Sequence, residues 1–404
     1  MTELLAPAGN LEKLKIALAY GADAVYFAGR AYGLRSGAEN FSIPQLTEAV
    51  QLAHRQGVRA YLTVNGVLHE PEFEGLSSYL DQMAPLGFDG AICSDLGVME
   101  KVSEQTGIPI HVSTQASVVN SYTAGLYKSF GAKRVVLGRE VGLEEAARIK
   151  DKTGLEVELF AHGAMCMSYS GQCTISNYMA GRDSNRGGCV HSCRFEYQLF
   201  DQGENAGQRR LLSSKDLSGL DLLERFVELG IDSAKIEGRM KSNLYIASTL
   251  RAYKAVLSSV NQQEQPDLQY WGQELNKLPH RDYITGSLES DAGFDSIHEA
   301  ASEEPALVEM AGTVIGVDEP NNRFAFWLKN RLVPGVTLEL LPHQGELIRI
   351  KIEQIVDLTE TPLDVAQPGR VIWLPLQPGV QEEQVGRIPS KAVQKLACAQ
   401  GAGC

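Results

Sequence analysis

The sequence predicts an α/β fold: a TIM-type (β/α)8 barrel with a cysteine-rich insertion at its rim, followed by a small antiparallel β-barrel. Three observations carry this reading. Short apolar segments alternate with helical patterns through roughly the first 240 residues. One interval in that series is far longer than the others and holds four of the seven cysteines. From about residue 304, strand-like segments follow one another with no helical pattern between them.

The eight barrel segments are Glu3–Ala6, Ala24–Ala28, Arg59–Val64, Gly90–Ser94, Ile108–Thr114, Arg134–Gly138, Val157–Ala161 and Ser233–Glu237. Several are near-continuous apolar runs, as strands covered on both faces require. Between the second and third, Ser42 and Pro44 form a cap and first turn, and Leu46, Ala49, Val50 and Ala53 make an apolar stripe that Gly57 ends. Similar helical stretches begin near Leu11 and Leu143. Alternation implies a parallel sheet, and eight repeats suit a closed barrel better than an open doubly wound sheet. The barrel domain is expected over 1–260. Some 70 residues separate the last two strands, more than one helix needs. That excess places an insertion at about 162–200, at the C-terminal rim where barrels build their active sites.

The polar stretch 261–303 reads as a linker. In a second domain, 304–390, strands are expected at Ala306–Val317, Arg323–Lys329, Val336–Leu341, Leu347–Val356 and Arg370–Leu376. Pro320-Asn321-Asn322, Pro334-Gly335 and Pro368-Gly369 suit the reversals between them. The tail 391–404 carries Cys398 and Cys404, to which no role is given.

At 44% hydrophobic and 22% charged, the 404 residues have ordinary globular composition. The opening MTELLAPAGN resembles no secretory signal, and no apolar run approaches the roughly 18 residues that would span a bilayer. A soluble cytoplasmic protein without membrane contact is expected. The net charge of −13 disfavours non-specific coating of nucleic acid. Positive charge nonetheless gathers at Arg182, Arg186 and Arg194, and again at Arg239, Lys241, Arg251 and Lys254. Solvated surface arginines are the plain alternative.

Cys166, Cys173, Cys189 and Cys193 fall within 28 residues, where chance would place about half a cysteine. Four thiolates converging from one loop can ligate an iron-sulfur cluster or zinc. Structural zinc sites usually contain tight Cys-x2-Cys pairs, and this Cys-x6-Cys-x15-Cys-x3-Cys spacing has none, which favours a cluster. Zinc, and redox or unliganded cysteines, remain the alternatives. His162 and His191 stand nearby as ligands of a zinc site or as bystanders.

The string from Glu158 through Phe160, His162-Gly163-Ala164-Met165-Cys166, Ser170-Gly171-Gln172-Cys173 and Ser176 resembles the signature of the U32 family, long labelled peptidases. ELLAPAG, GADAVYFAG followed by YGLR, VSTQASVVN, RVVLGRE and KIEGRMKSNLYIA occur in the family's order, so the resemblance covers about residues 1–255. RDSNRGGCVHSCRFEY is most similar to members that convert the tRNA wobble uridine to 5-hydroxyuridine. The resemblance implies oxygen-independent hydroxylation with prephenate as hydroxyl donor, tRNA as partner, and a 4Fe-4S cluster on the four cysteines. Members that hydroxylate ribosomal RNA or a quinone precursor share that outline. A collagenase-like peptidase with structural metal, and a non-catalytic iron-sulfur partner protein, are the other readings. No electron donor is assigned.

Polar residues at strand ends face the shared pocket of such a barrel. They are Glu39, Asn65, Gln115, Arg139, Glu140, Lys235, Glu237 and Arg239. A dianion such as prephenate needs arginine forks or lysine, so Arg139, Lys235 and Arg239, with Arg35 in the loop after the second strand, are expected to bind it, alongside Asn65 and Gln115. Glu140 and Glu237 are the candidate acid and base. Alternatively these charges pair with one another inside the barrel. Tyr26 and Tyr61 read as packing, and Cys93 as a buried structural thiol. His69-Glu70 and His298-Glu299 lack the further histidine of a zincin, and no nucleophile elbow, Walker loop or dinucleotide fingerprint occurs.

Overall fold

The computed structural model describes residues 1–34, 39–298, 305–391 and 393. Strands β1 (Glu3–Pro7), β2 (Ala24–Phe27), β3 (Arg59–Val64), β4 (Gly90–Cys93), β5 (Ile110–Val112), β6 (Ala132–Val136) and β7 (Glu156–Ala164) pair in parallel in chain order. After β8 (Tyr197–Asp201), β9 (Glu204–Arg209) and β10 (Asp216–Ser218), strand β11 (Ser233–Ile236) pairs in parallel with both β7 and β1. The ring is closed: eight parallel strands form the expected barrel.

Each strand is buried on two faces, which is why it is legible as an apolar run. In β3, Ala60, Leu62 and Val64 point outward into the main core under the helices, while Tyr61 and Thr63 point inward. Helix α1 (Leu11–Ala19) is capped by Asn10. Helix α2 (Ile43–Arg55) starts on a Ser42/Gln45 capping box with Pro44 in the first turn, and its buried residues are Leu46, Ala49, Val50 and Ala53. Helices α3 (Glu70–Met83), α4 (Leu96–Thr106), α5 (Ser121–Ser129) and α6 (Leu143–Thr153) complete this side of the ring. The insertion contributes α7 (Ile175–Ala180) and the β8–β9 hairpin. Helices α8 (Leu223–Glu228) and α9 (Asn243–Asn261) flank β11.

The polar stretch 261–303 is more ordered in its described part than its composition implies. It holds α10 (Leu268–Leu275), packed on α9, and β12 (Tyr283–Ile284), which joins β10. The second sheet comprises β13 (Val308–Asp318), β14 (Arg323–Leu328), β15 (Thr337–Leu341), β16 (Ile348–Lys351), β17 (Ile355–Asp357), β18 (Pro362–Leu363), β19 (Val371–Pro375) and β20 (Val385–Pro389). Its order, β16-β15-β20-β13-β14-β19-β17-β18, is antiparallel throughout and surrounds its own core of Phe324, Phe326, Leu338, Ile350 and Ile372. No ladder joins β16 to β18 among the described residues, so this is an incomplete barrel. The stretch expected as one strand, Leu347–Val356, divides because β16 pairs with β15 whereas β17 pairs with β19, with buried Ile352 at the break.

The two parts are fastened together. Tyr20 donates to the Leu341 carbonyl (2.6 Å) and accepts from the Val385 amide (3.0 Å), and Arg387 pairs with Glu274 (2.8 Å) and Glu339 (2.9 Å). No helix among the described residues is long and apolar enough to cross a membrane.

Candidate functional site

The barrel interior is largely ionic. Arg134, 1% exposed, meets Glu3 (2.6 Å), Glu158 (3.1 Å) and Glu156 (2.7 Å). Glu158 also holds the Lys235 ammonium (2.7 Å), and Tyr61 donates to Glu3 (2.7 Å). Buried ions cost several kcal/mol each unless paired, and here each cation of this ladder has its carboxylate. Burial alone would push the Glu158 carboxyl up, but Lys235 and then Arg134 hold it below its ordinary value. His111, buried beside Tyr61, is held neutral, its pKa lowered to about 3 by burial and then by Arg134.

Above this ladder the strand ends border a cavity. Asn65, Gln115, Arg139, Lys235, Glu237 and Arg239 all line it, together with Tyr26, Thr63, Ser113 and Phe160. Inward positions alternate with core positions along a strand, so Thr63 follows Tyr61 and Lys235 follows Ser233. Arg139 lies over the Phe160 ring (3.9 Å) and 3.9 Å from Glu237. Lys235 sits over Tyr26 (4.4 Å), and Arg239, 3% exposed, donates to Thr63 (3.1 Å). Asn65 accepts from the Leu34 amide (3.2 Å). Among the described residues, three cations thus line the cavity with one carboxylate, with Glu158 beneath Lys235, and cations in this number suit an anion.

The insertion is docked on this rim. Ser170 donates its amide to Glu140 (2.9 Å), and its hydroxyl accepts from the Arg139 amide (3.1 Å). Gly171, at φ +79°, packs so closely on the Gln115 carbonyl that a Cβ would lie 2.0 Å from its oxygen. Arg186 grips Glu72 of α3 with two hydrogen bonds (2.6 and 2.8 Å). Cys166 is exposed, and Cys173, Cys189 and Cys193 are half-buried; none is in a disulfide. Burial raises the Cys166 and Cys193 thiols, and Cys193 also feels the other three sulfurs. Among the described residues no three His, Cys, Asp or Glu side chains close to the spacing of a single metal ion. A four-iron cluster spreads its ligand sulfurs more widely than one zinc with four bonds of about 2.3 Å. Four thiols outside any disulfide, in one insertion, are the soft donors that an iron-sulfur cluster or a zinc ion takes.

The chain matches the model of peptidase family U32 over residues 9–297, and that of the U32 C-terminal domain over residues 308–386. It belongs to the U32 family. It is 38% identical to tRNA hydroxylation protein P1 of Bacillus subtilis, covering 90% of this chain and 89% of that one. It is 34% identical to a 23S rRNA 5-hydroxycytidine synthase of Escherichia coli (73% and 47% covered) and 28% identical to a collagenase of Porphyromonas gingivalis (70% and 72%).

In this U32 chain the two candidate acid-base carboxylates are not brought together. Glu237 lines the barrel cavity, whereas Glu140 lines a second, open cavity with Arg139, Cys166, Tyr169, Leu211, Ser214 and Phe294. One Glu140 oxygen is taken by Ser170; the other is buried without a partner among the described residues. Arg139 belongs to both cavities. Glu39 binds the Asn10 side chain (2.7 Å) and is absent from either lining. Arg35, Cys398 and Cys404 lie outside the described residues. His162 is fully buried and its pKa lowered to about 3 by burial, while Tyr26 lines the cavity as well as packing. Cys93 is buried, with its thiol pushed up. Sequence reasoning missed Thr63, Ser113 and Phe160, which strand alternation places inward, and Phe294, which nothing in its polar surroundings marks.

Proposed function

We propose that this protein hydroxylates the wobble uridine of tRNA to 5-hydroxyuridine without oxygen, taking the hydroxyl from prephenate and carrying a 4Fe-4S cluster on Cys166, Cys173, Cys189 and Cys193. The observation that carries the proposal is Arg139, shared by a cation-rich barrel cavity and an adjoining cavity into which Cys166 projects. The first takes the small dianion: Arg139 and Arg239 fork its carboxylates, and Lys235 adds a third charge from above Glu158. The second takes the unstacked pyrimidine, with Tyr169 and the 94%-exposed Phe294 at its edge. When bound, a cluster on these cysteines would supply one-electron chemistry. Glu140 and Glu237 stand one in each cavity, placed to hold or move a proton.

Relatives named for tRNA and ribosomal RNA hydroxylation support an RNA substrate. So does the insertion, which presents exposed Tyr178, Phe195 and Phe200 near Arg182 and Arg194, an arrangement suited to stacking bases and meeting phosphates. A peptidase reading rests on names, the family's and those of two relatives called a protease and a collagenase. Its sole unclustered barrel thiol, Cys93, is buried and poorly ionised.

Anaerobically purified protein is expected to hold about four iron atoms per chain. With prephenate and tRNA it should yield 5-hydroxyuridine by mass spectrometry of digested tRNA, and Cys189→Ser should yield none. One zinc per chain and no iron would sink the cluster. Full iron with unmodified uridine would sink the substrate.

A further inference from the structure

Among the described residues six lysine and arginine side chains are buried, and five are accounted for. Arg134, Lys235, Arg281 and Arg387 each meet a carboxylate, and Arg239 belongs to the barrel cavity. The sixth is Arg251 of α9, 4% exposed. Among the described residues it donates to the Gly345 carbonyl (2.6 Å) and lies over the Trp271 ring (5.0 Å), but its Nε has no acceptor and no carboxylate pairs with it. A buried cation without a counter-ion is costly, and a protein keeps one where an anion arrives.

There is room for one. Arg251 opens on a cavity with about 800 Å³ of atom-free space, at the seam between barrel and C-terminal sheet. Lys254, one turn on in α9, lines it, as do Tyr20, Trp271 and His343. Lys254 is already paired with Asp23 (2.6 Å) but remains more than a third exposed. His343 sits edge-on to Tyr20, and its Nδ1 donates to the Gln381 side-chain oxygen. Arg251 and His343, from two domains, thus border one space. The segment Ala19–Gly21 leads into the start of β2, so this space lies at the N-terminal end of the barrel, away from the strand-end cavity.

We infer that the seam is a second ligand site, for a phosphate-type oxyanion held by Arg251 with Lys254. Its source is either an RNA backbone phosphate or a free phosphate compound, and the site does not depend on what the barrel cavity does. Arg251 bridges α9 to the turn between β15 and β16, so an occupied site ties the two domains together.

The test uses the full chain and inorganic phosphate, compared with chloride at matched ionic strength. Phosphate at about ten times its dissociation constant should raise the thermal midpoint by about 2 °C and change Trp271 emission. Arg251→Met keeps an apolar stem over Trp271 and should lose both effects. Should that variant fold poorly, Lys254→Met read by the same fluorescence titration should weaken the response about tenfold. Titration with tRNA separates the sources. Weaker tRNA binding by Arg251→Met, with a salt slope lower by about one, identifies a backbone phosphate. Unchanged tRNA binding with the phosphate response lost identifies a free oxyanion. A wild-type chain that does not distinguish phosphate from chloride, or a response that survives in Arg251→Met and Lys254→Met, overturns the site.

Discussion

Arg139 takes its importance from position rather than from charge alone. It is clamped on Phe160 and lies at 3.9 Å from Glu237, too far for a strong pair, so its fork is available to a carboxylate in the barrel cavity. Arg139→Ala is expected to lower prephenate-dependent turnover about 100-fold, the usual effect of removing one preorganised donor, while iron content stays intact. Iron lost in parallel would recast Arg139 as a strut of the insertion. Glu158 is a different kind of residue, because two buried cations depend on it. Glu158→Gln should cost about 3–5 kcal/mol in urea unfolding at pH 7, since it strands part of the charge on Lys235 and Arg134. The depressed Glu158 carboxyl contributes stability above its ordinary value of 4.5, and that contribution is lost as pH falls below it. A loss under about 1 kcal/mol in the variant would mean the ladder is solvated.

At the scale of elements, the barrel strands were legible because both their faces are buried, and the insertion because about 70 residues and four cysteines cannot be one helix. Its docking was not legible. Glu140 and Glu72 look like ordinary acids near helix starts, yet one receives Ser170 and the other Arg186. The missed strands β18 and β20 are short and bounded by Pro362 and Pro389, which weakens any strand signal. Gly171 was legible only as part of a motif; its φ of +79° and the neighbouring Gln115 carbonyl give the physical reason. Gly171→Ala must strain the backbone and displace the insertion from the rim, at about 1–3 kcal/mol. The expected outcome is faster iron release to a chelator with little change in the barrel's own unfolding midpoint. Unchanged release would show that Arg186 and Glu72 suffice to hold the loop.

For the molecule as a whole, acid is the revealing variable. His111 and His162 are buried far apart, and each has its pKa lowered to about 3, chiefly by burial, from an ordinary 6.5. Between those values the unfolded chain binds protons that the folded chain refuses, so stability is full above about pH 6.5 and falls as pH drops. One histidine contributes a slope of about 1.4 kcal/mol per pH unit, and two together about 2.7. His343, whose pKa burial also lowers, adds to this slope. Urea unfolding from pH 6 to about 5 should show at least the steeper slope, and His162→Gln, which can still meet the Tyr253 hydroxyl, should lower it by about 1.4 kcal/mol per pH unit whatever its effect on absolute stability. A wild-type stability that is flat from pH 6.5 to 5 would mean that these rings take up protons in the folded state despite their burial.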